Sequence, residues 1–150
     1  MVKEKKKILF FHHSALIGGA GISGLNVLRS IPRESFEVVV YCCSFGGRMF
    51  FEFKKEGYIV IEGGKSPTSF SHCVGGETFA LSPHAIKNYI NIILDKSKIN
   101  SLLAKEKPDI VIINSMTLFW IGHIAKRYRI RTICFFRETY TKGLLGVRNW

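Results

Sequence analysis

A cluster of glycines follows the first apolar stretch of the sequence and is the feature best suited to chemistry. The cluster consists of Gly18, Gly19, Ala20 and Gly21, and the segment from Gly19 to Gly24 has the spacing G-x-G-x-x-G. Glycines let the backbone approach a ligand without side-chain interference, and a helix that begins there directs its free N–H groups outward. The segment predicts a site for a diphosphate or a sugar. A tight turn between a strand and a helix, without a ligand, is the simpler alternative.

The same spacing occurs in dinucleotide-binding loops. Such a loop needs its first glycine almost directly after the strand, and an acid about 20 residues further on. Six residues, 13 to 18, separate His12 from Gly19, and the second apolar run ends in Tyr41–Ser44 without a carboxylate. Arg48 could serve the 2′-phosphate of NADP, but the long loop would still be unexplained. The sequence therefore disfavours a nicotinamide or flavin cofactor.

Polar side chains follow several apolar runs at the points where strands are expected to end. In a parallel sheet, ligands lie beyond the carboxyl ends of the strands. The residues at these positions are His13, Ser14, Asn114, Ser115, Arg137 and Glu138. Arg137 could hold phosphate oxygens through two parallel hydrogen bonds, or it could pair internally with Glu138. Of the adjacent His12 and His13, we expect one to face the core and the other the cleft.

Apolar runs alternate with helix-like segments along the chain, which predicts an α/β fold. The five runs expected as strands are Lys7–His12, Glu37–Cys43, Tyr58–Glu62, Asp109–Ser115 and Arg131–Phe136. Helices are expected after the glycines, as a short helix after a loop within Gly46–Gly57, from Ser82–Pro83 to Lys107–Pro108 with a break near Asp95–Lys98, and over Leu118–Tyr128. Strands that are apolar on both faces favour one Rossmann-like parallel sheet with helices on both faces. The Gly-, Ser- and Pro-rich segment 63–82 is expected to be a functional or mobile loop.

Three segments together resemble the N-terminal domain of family 4 glycosyltransferases, which are retaining enzymes of the two-domain GT-B fold. They are KKILFFHHSALIGGAGISGLNVLRSI from Lys6, KPDIVIINS from Lys107 and ICFFRETYTKGLLGVRNW from Ile133. The resemblance implies transfer of a sugar from a nucleotide-sugar donor to a glycan or lipid-linked acceptor, with the nucleotide-sugar as co-substrate and no cofactor. It implies donor diphosphate near the glycine cluster, a reacting centre near Arg137 and Glu138, and an acceptor pocket bordered by His13, Ser14, Asn114 and Ser115.

The sequence is shorter than the family pattern and matches only its N-terminal part. The nucleotide site and the E-x7-E element of the family belong to a C-terminal domain, for which these 150 residues contain no counterpart. We therefore expect an incomplete N-terminal, acceptor-side domain that is inactive alone. The alternatives are a stand-alone Rossmann-like module that binds a nucleotide or a phosphorylated ligand and, less favoured, an NAD(P)-dependent oxidoreductase domain.

The composition restricts the partners and the compartment. A net charge of +11 predicts attraction to an anionic partner, but the basic residues are not interleaved with aromatic ones, so we expect no nucleic acid. The cysteines, at positions 42, 43, 73 and 134, include no C-x-x-C pair and are expected to be reduced core thiols, and no metal site is expected. Neither a signal peptide nor an apolar run of membrane-spanning length is evident, which favours a cytoplasmic location.

The segment around Met49 offers a possible membrane contact. Its residues Arg48, Phe50, Phe51, Lys54 and Lys55 could form a short amphipathic element on an anionic bilayer. A helix that packs its phenylalanines on the sheet is the favoured alternative, because aromatic residues are common in cores.

Overall fold

The computed structural model describes residues 4–43, 46–63 and 83–136, with the side chains of 83–89 excepted. In chain order the elements are β1 (Lys6–His12), α1 (Gly19–Arg29), β2 (Phe36–Cys42), α2 (Arg48–Lys55), β3 (Ile59–Glu62), α3 (Pro83–Glu106), β4 (Ile110–Ile113), a 3-10 turn (Met116–Leu118), α4 (Trp120–Arg127) and β5 (Arg131–Cys134). The five strands form one sheet in the order β3-β2-β1-β4-β5. Every neighbouring pair is parallel, which confirms the predicted Rossmann-like fold.

The strand β1 lies at the centre of the sheet and pairs with β2 on one side and β4 on the other. Its residues from Ile8 to His12 are all buried, because helices cover both faces of the sheet. Phe10 packs with the buried residues of α1 and α2, whereas Phe11 packs with those of α3 and α4. The alternation of side chains along β1 therefore divides the core into two layers.

The long helix α3 continues through the segment where the sequence suggested a break. Residues Asp95 to Lys98 are helical, and the Lys98 ammonium lies 2.9 Å from the Asp95 carboxylate, one turn away. Asp95 is only 5% exposed. The expected break is wrong because this ion pair and the burial of Ile92 and Ile99 on either side of it fit one continuous helix.

Helix α2 packs on the sheet as the core interpretation predicts. Met49, Phe50 and Phe53 are buried, while Phe51 is 59% exposed. The Lys54 ammonium covers the outer side of Phe50, 4.4 Å from the ring centroid. Phe50 is therefore a core residue, and only Phe51 presents a large apolar surface to a partner.

The two adjacent cysteines lie in the core and form no disulfide bond within the part of the chain that the structure describes. Cys42 packs on the α1 and α2 side and Cys43 on the α3 and α4 side, and both are buried. Cys134 is half-buried, and Cys73 lies outside the described residues. Within residues 4–43, 46–63 and 83–136, no three His, Cys, Asp or Glu side chains come close enough to share a metal ion. No helix in these ranges is both long and apolar enough to cross a membrane.

Replacing Phe53 with alanine should lower the free energy of unfolding by about 3–5 kcal/mol, the usual range for a buried aromatic residue. The Phe53 ring is fully buried and packs edge-on against Phe10, with ring centroids 6.0 Å apart. Urea unfolding followed by circular dichroism measures this change. Phe51→Ala, on the exposed side of the same helix, is the matched control and should stay within about 0.5 kcal/mol of wild type. Equal losses in the two variants would contradict the described packing of α2.

Stability should fall at alkaline pH because burial raises the pKa of the Cys42 thiol from 9.0 to about 12. Between these two values the unfolded chain releases the thiol proton while the folded chain keeps it, so the free energy of unfolding decreases as pH rises. Urea titrations at pH values between about 8 and about 11 measure the slope of the free energy of unfolding against pH. Cys42→Ala should show a shallower slope, and Tyr41, whose pKa is also raised by burial, contributes to the slope that remains. An unchanged slope in Cys42→Ala would contradict this assignment.

Candidate functional site

The carboxyl ends of β1, β2 and β4 meet at one edge of the sheet, where the loop of residues 13–18 leads from β1 into α1. The α1 N-cap is Gly18 and that of α2 is Gly47, and neither helix start has a side-chain cap. The Ala15 carbonyl accepts a hydrogen bond from the Met49 N–H at 3.2 Å, which holds the loop against the first turn of α2. Gly47 permits this approach, because a side chain there would collide with the backbone of Ala15. Two helix N-termini therefore lie at the same edge.

The three glycines of the cluster and Gly24 have two different environments. A Cβ atom added to Gly18 or Gly19 would meet nothing within 4 Å among the described atoms. A Cβ on Gly21 would lie 2.5 Å from the Met49 sulfur, and one on Gly24 would lie 2.6 Å from Nδ2 of Asn114. The first two glycines thus leave an open backbone surface, whereas the last two permit close packing under α1.

The G-x-G-x-x-G spacing lies within a helix and not in the turn that precedes one. Gly19, its first glycine, is also the first residue of α1, and Gly24 is in the second turn. In dinucleotide-binding loops the first glycine forms the tight turn after the strand. The position of Gly19 differs from that arrangement, in line with the loop length that disfavoured such a cofactor.

Asn114 follows β4 and is completely buried beneath the first turn of α1. Its Nδ2 donates a hydrogen bond to the Ala20 carbonyl at 2.8 Å, and the same atom lies 3.1 Å from Nδ1 of His12. The Asn114 side chain therefore joins β4, β1 and α1 at the point where the open glycines begin.

Ser115 caps the 3-10 turn that follows β4. Its hydroxyl accepts a hydrogen bond from the Thr117 N–H at 3.1 Å and lies 2.8 Å from the Thr117 hydroxyl. Ser115 is also completely buried. The resemblance implied that Asn114 and Ser115 border the acceptor pocket, and in the structure both side chains are completely buried.

The two histidines at the end of β1 are both buried, with His12 fully enclosed and His13 8% exposed. The His12 ring meets Phe53 edge-on, with centroids 5.4 Å apart. The sequence led us to expect one ring to face the core and the other the cleft, and in the structure both rings are buried. Ser14 is half-buried, and its hydroxyl accepts a hydrogen bond from the Leu16 N–H at 3.1 Å.

Several expected site residues lie outside the described part of the chain. These are Arg137, Glu138 and most of the 63–82 loop. The described chain approaches Arg137 through Phe135, whose N–H donates to the Ile113 carbonyl at 2.9 Å. Arg48 is exposed at the start of α2.

Sequence reasoning missed two features of this edge. Leu16 in the first loop is 73% exposed, beside Ile17 at 47%. Gly24 and Asn114 are packed together although they are far apart in the sequence. The third glycine of the motif was a signal for close helix packing, but its spacing could not identify the partner.

A separate pocket of about 780 Å³ lies at the opposite edge of the sheet, at the amino ends of β1, β4 and β5. Its basic lining residues are Lys6, Lys126, Arg129 and Arg131. Part of the positive charge is thus remote from the glycines.

Comparisons with solved structures identify similar folds. The chain is similar to MurG of Acinetobacter baumannii, with a TM-score of 0.60 and 13% identity over 87% of this chain and 35% of that one. It is also similar to the calicheamicin glycosyltransferase CalG4, with a TM-score of 0.55 and 16% identity over 92% of this chain and 34% of that one. The chain thus spans about a third of the length of either protein and matches one domain of GT-B glycosyltransferases.

The fold also occurs in a protein whose name does not describe a glycosyltransferase. The C-terminal domain of a Pyrococcus furiosus hydrogenase matches with a TM-score of 0.59 and 16% identity, over 87% of this chain and 92% of that domain. No curated protein sequence matches the chain significantly. At such identities the structural matches establish the fold alone.

The family follows from the sequence profile of Glycosyltransferase Family 4, which matches residues 17–150. This match begins at the exposed end of the first loop and includes the glycine cluster, both helix N-termini and Asn114. The chain therefore belongs to glycosyltransferase family 4.

Proposed function

We propose that the chain is the acceptor-side domain of a hexosyltransferase that moves a sugar from a nucleotide-sugar donor to a glycan or glycolipid acceptor. This reaction would serve the biosynthesis of a cell-surface polysaccharide or another glycoconjugate. The observation that carries the proposal is the open backbone at Gly18 and Gly19, at the uncapped start of α1, in a chain of this family.

The start of α1 is suited to the diphosphate of the donor. The first N–H groups of a helix have no partner within the helix and attract anions. Gly18 and Gly19 let phosphate oxygens approach these groups, while Ala20 and Gly21 continue the same turn. The helix dipole contributes only about 0.3–1 kcal/mol, so a cationic side chain is also needed.

Arg137 is the residue proposed to supply that charge. Cleavage of the sugar–phosphate bond leaves negative charge on the departing diphosphate, and a guanidinium can hold two of its oxygens. Glu138, next to it, is proposed to act at the reacting centre. The proposal includes no metal ion and no cofactor other than the nucleotide-sugar co-substrate.

The acceptor is proposed to bind on the side of the cleft formed by the first loop. The half-buried Ser14 borders this region, and the buried side chains of His13, Asn114 and Ser115 support it. A second, nucleotide-binding domain would supply most donor contacts. We therefore propose that these 150 residues alone do not catalyse transfer.

A test requires the protein as its gene encodes it, incubated with a panel of radiolabelled nucleotide-sugars and with glycan and lipid-linked acceptors. Wild type should transfer one sugar with retention of anomeric configuration. Gly19→Ala should raise KM for the donor about tenfold, equivalent to about 1.4 kcal/mol, because its methyl group obstructs the open backbone. Its thermal stability should not decrease, since alanine favours helix over glycine.

The matched control is Gly122→Ala, in α4. A Cβ there would make ordinary contacts, 3.6 Å from Cδ1 of Ile113 and 3.8 Å from Cγ2 of Thr132, so the donor KM should stay at the wild-type value. Absence of sugar transfer from every donor in the panel, together with absence of nucleotide binding, would contradict the proposed function.

We also propose that α2 brings the domain to the cytoplasmic face of an anionic membrane, near lipid-linked acceptors. Its exposed side carries Phe51 with Arg48, Lys54 and Lys55, and its first turn contacts the loop that borders the cleft. Each basic residue close to an anionic surface contributes about 1 kcal/mol of attraction. Phe51 could insert at the interface, whereas Phe50 belongs to the core.

Sedimentation with vesicles of phosphatidylserine and phosphatidylcholine measures this binding. Wild type should bind, and binding should weaken as salt is raised. Phe51→Ser combined with Lys55→Glu should reduce the bound fraction strongly. Ile93→Ser with Lys96→Glu makes the same changes on the exposed side of α3 and should retain binding. Salt-independent binding, or equal loss in both double variants, would contradict a membrane contact through α2.

A further inference from the structure

We propose that Asn114 is a positioning residue that fixes the first turn of α1, and with it the open backbone of Gly18 and Gly19. This inference rests on the proposed function, in which that backbone receives the donor diphosphate. The sequence interpretation assigned Asn114 to the acceptor pocket. Its complete burial points to an action through Ala20 and His12 instead.

The main chain of Asn114 is tied to the centre of the sheet. Its N–H donates to the Phe11 carbonyl at 3.0 Å, which continues the pairing of β4 with β1 by one residue. From this anchored position the side chain reaches the Ala20 carbonyl, in the first turn of α1. The hydrogen bond therefore connects a rigid strand directly to the turn that carries the open glycines.

The missing side chain of Gly24 makes this connection possible. A Cβ at this position would lie 2.6 Å from Nδ2 of Asn114 and 3.0 Å from Cζ of Phe10. The Asn114 amide thus fills a notch beneath the second turn of α1. The distance of the first turn of α1 from the sheet, and its direction, depend on this contact.

The orientation of the Asn114 amide follows from its partners. A carbonyl can only accept, so the atom facing the Ala20 carbonyl must be the NH2 group. The same nitrogen faces Nδ1 of His12, and this ring atom must then carry a lone pair. The geometry therefore requires a neutral His12 with its proton on Nε2.

Asparagine at this position has an energetic cost and a specific gain. Among the described residues, Oδ1 of Asn114 has no hydrogen-bond partner although it is buried, and a buried oxygen without a partner costs about 1–3 kcal/mol. Leucine would avoid that cost but would remove both hydrogen bonds of Nδ2, one to the Ala20 carbonyl in the first turn of α1 and the other to His12 at the end of β1. These two hydrogen bonds are what asparagine provides and leucine does not.

The first test uses ¹⁵N NMR of the wild-type protein, as its gene encodes it, at neutral pH. The two-bond couplings of the His12 ring should show the Nε2–H tautomer. A predominant Nδ1–H tautomer or an imidazolium would overturn the inference. This measurement needs no variant and no sugar transfer, so its failure and failure of the proposed function are distinguishable.

The second test compares Asn114→Leu with Asn26→Leu, a matched change on the exposed side of α1. Asn114→Leu should give a mixture of His12 tautomers and faster amide hydrogen exchange at Ala20 and Gly21. In the protein as its gene encodes it, KM for the donor should rise about 10- to 100-fold, the scale of a small misplacement of binding groups. Asn26→Leu should change none of these three quantities.

Each outcome of the second test decides the inference. Wild-type exchange and donor KM within twofold of wild type in Asn114→Leu would overturn it. If Asn114→Leu does not fold, the tautomer of wild-type His12 still decides. A wild type that has the Nε2–H tautomer but neither transfers a sugar nor binds a nucleotide would contradict the proposed function and leave the link between Asn114 and α1 supported.

Discussion

The parallel pairing of β1 with both β2 and β4 is the constraint on which the rest of the structure depends. Because all three strands run in the same direction, their carboxyl ends lie at one edge, and both α1 and α2 begin there. Burial of β1 on both faces requires helices to pack closely over it. That close packing explains why Gly21 and Gly24 have no room for a side chain. Gly18 and Gly19 lie at the start of the same helix, where the backbone is exposed.

The fold could be predicted from the sequence because its signals are local. Runs such as Val38–Val40 and Ile110–Ile113 are β-branched and too short for buried helices, and each is separated from the next by a helix-like segment. The supposed break in α3 was wrong for a complementary reason. The sequence shows a charged segment at Asp95–Lys98, but it does not show that Asp95 and Lys98 pair across one helical turn.

The candidate site was less predictable because burial at a strand end depends on distant residues. A polar residue directly after a strand, such as Asn114, is expected at the cleft surface. Whether it reaches that surface depends on how closely α1 approaches, and Gly24 determines that approach. For Phe50 and Phe51 the difficulty was similar. Adjacent aromatic residues on a helix face different directions, and only the packing of α2 on the sheet decides which one is buried.

The glycine spacing illustrates why one motif can serve different ligands. In this chain the G-x-G-x-x-G motif contains one exposed glycine at the helix start, Gly19, and two glycines that permit close packing, Gly21 and Gly24. The packing requirement follows from placing a helix close to a parallel strand, and it is the same whatever the ligand is. In the proposed function the ligand contacts the exposed glycines and the loop before them, and this loop is six residues long, from 13 to 18. Loop length and the helix start therefore carry the information about the ligand, while the spacing of the later glycines reports on the fold.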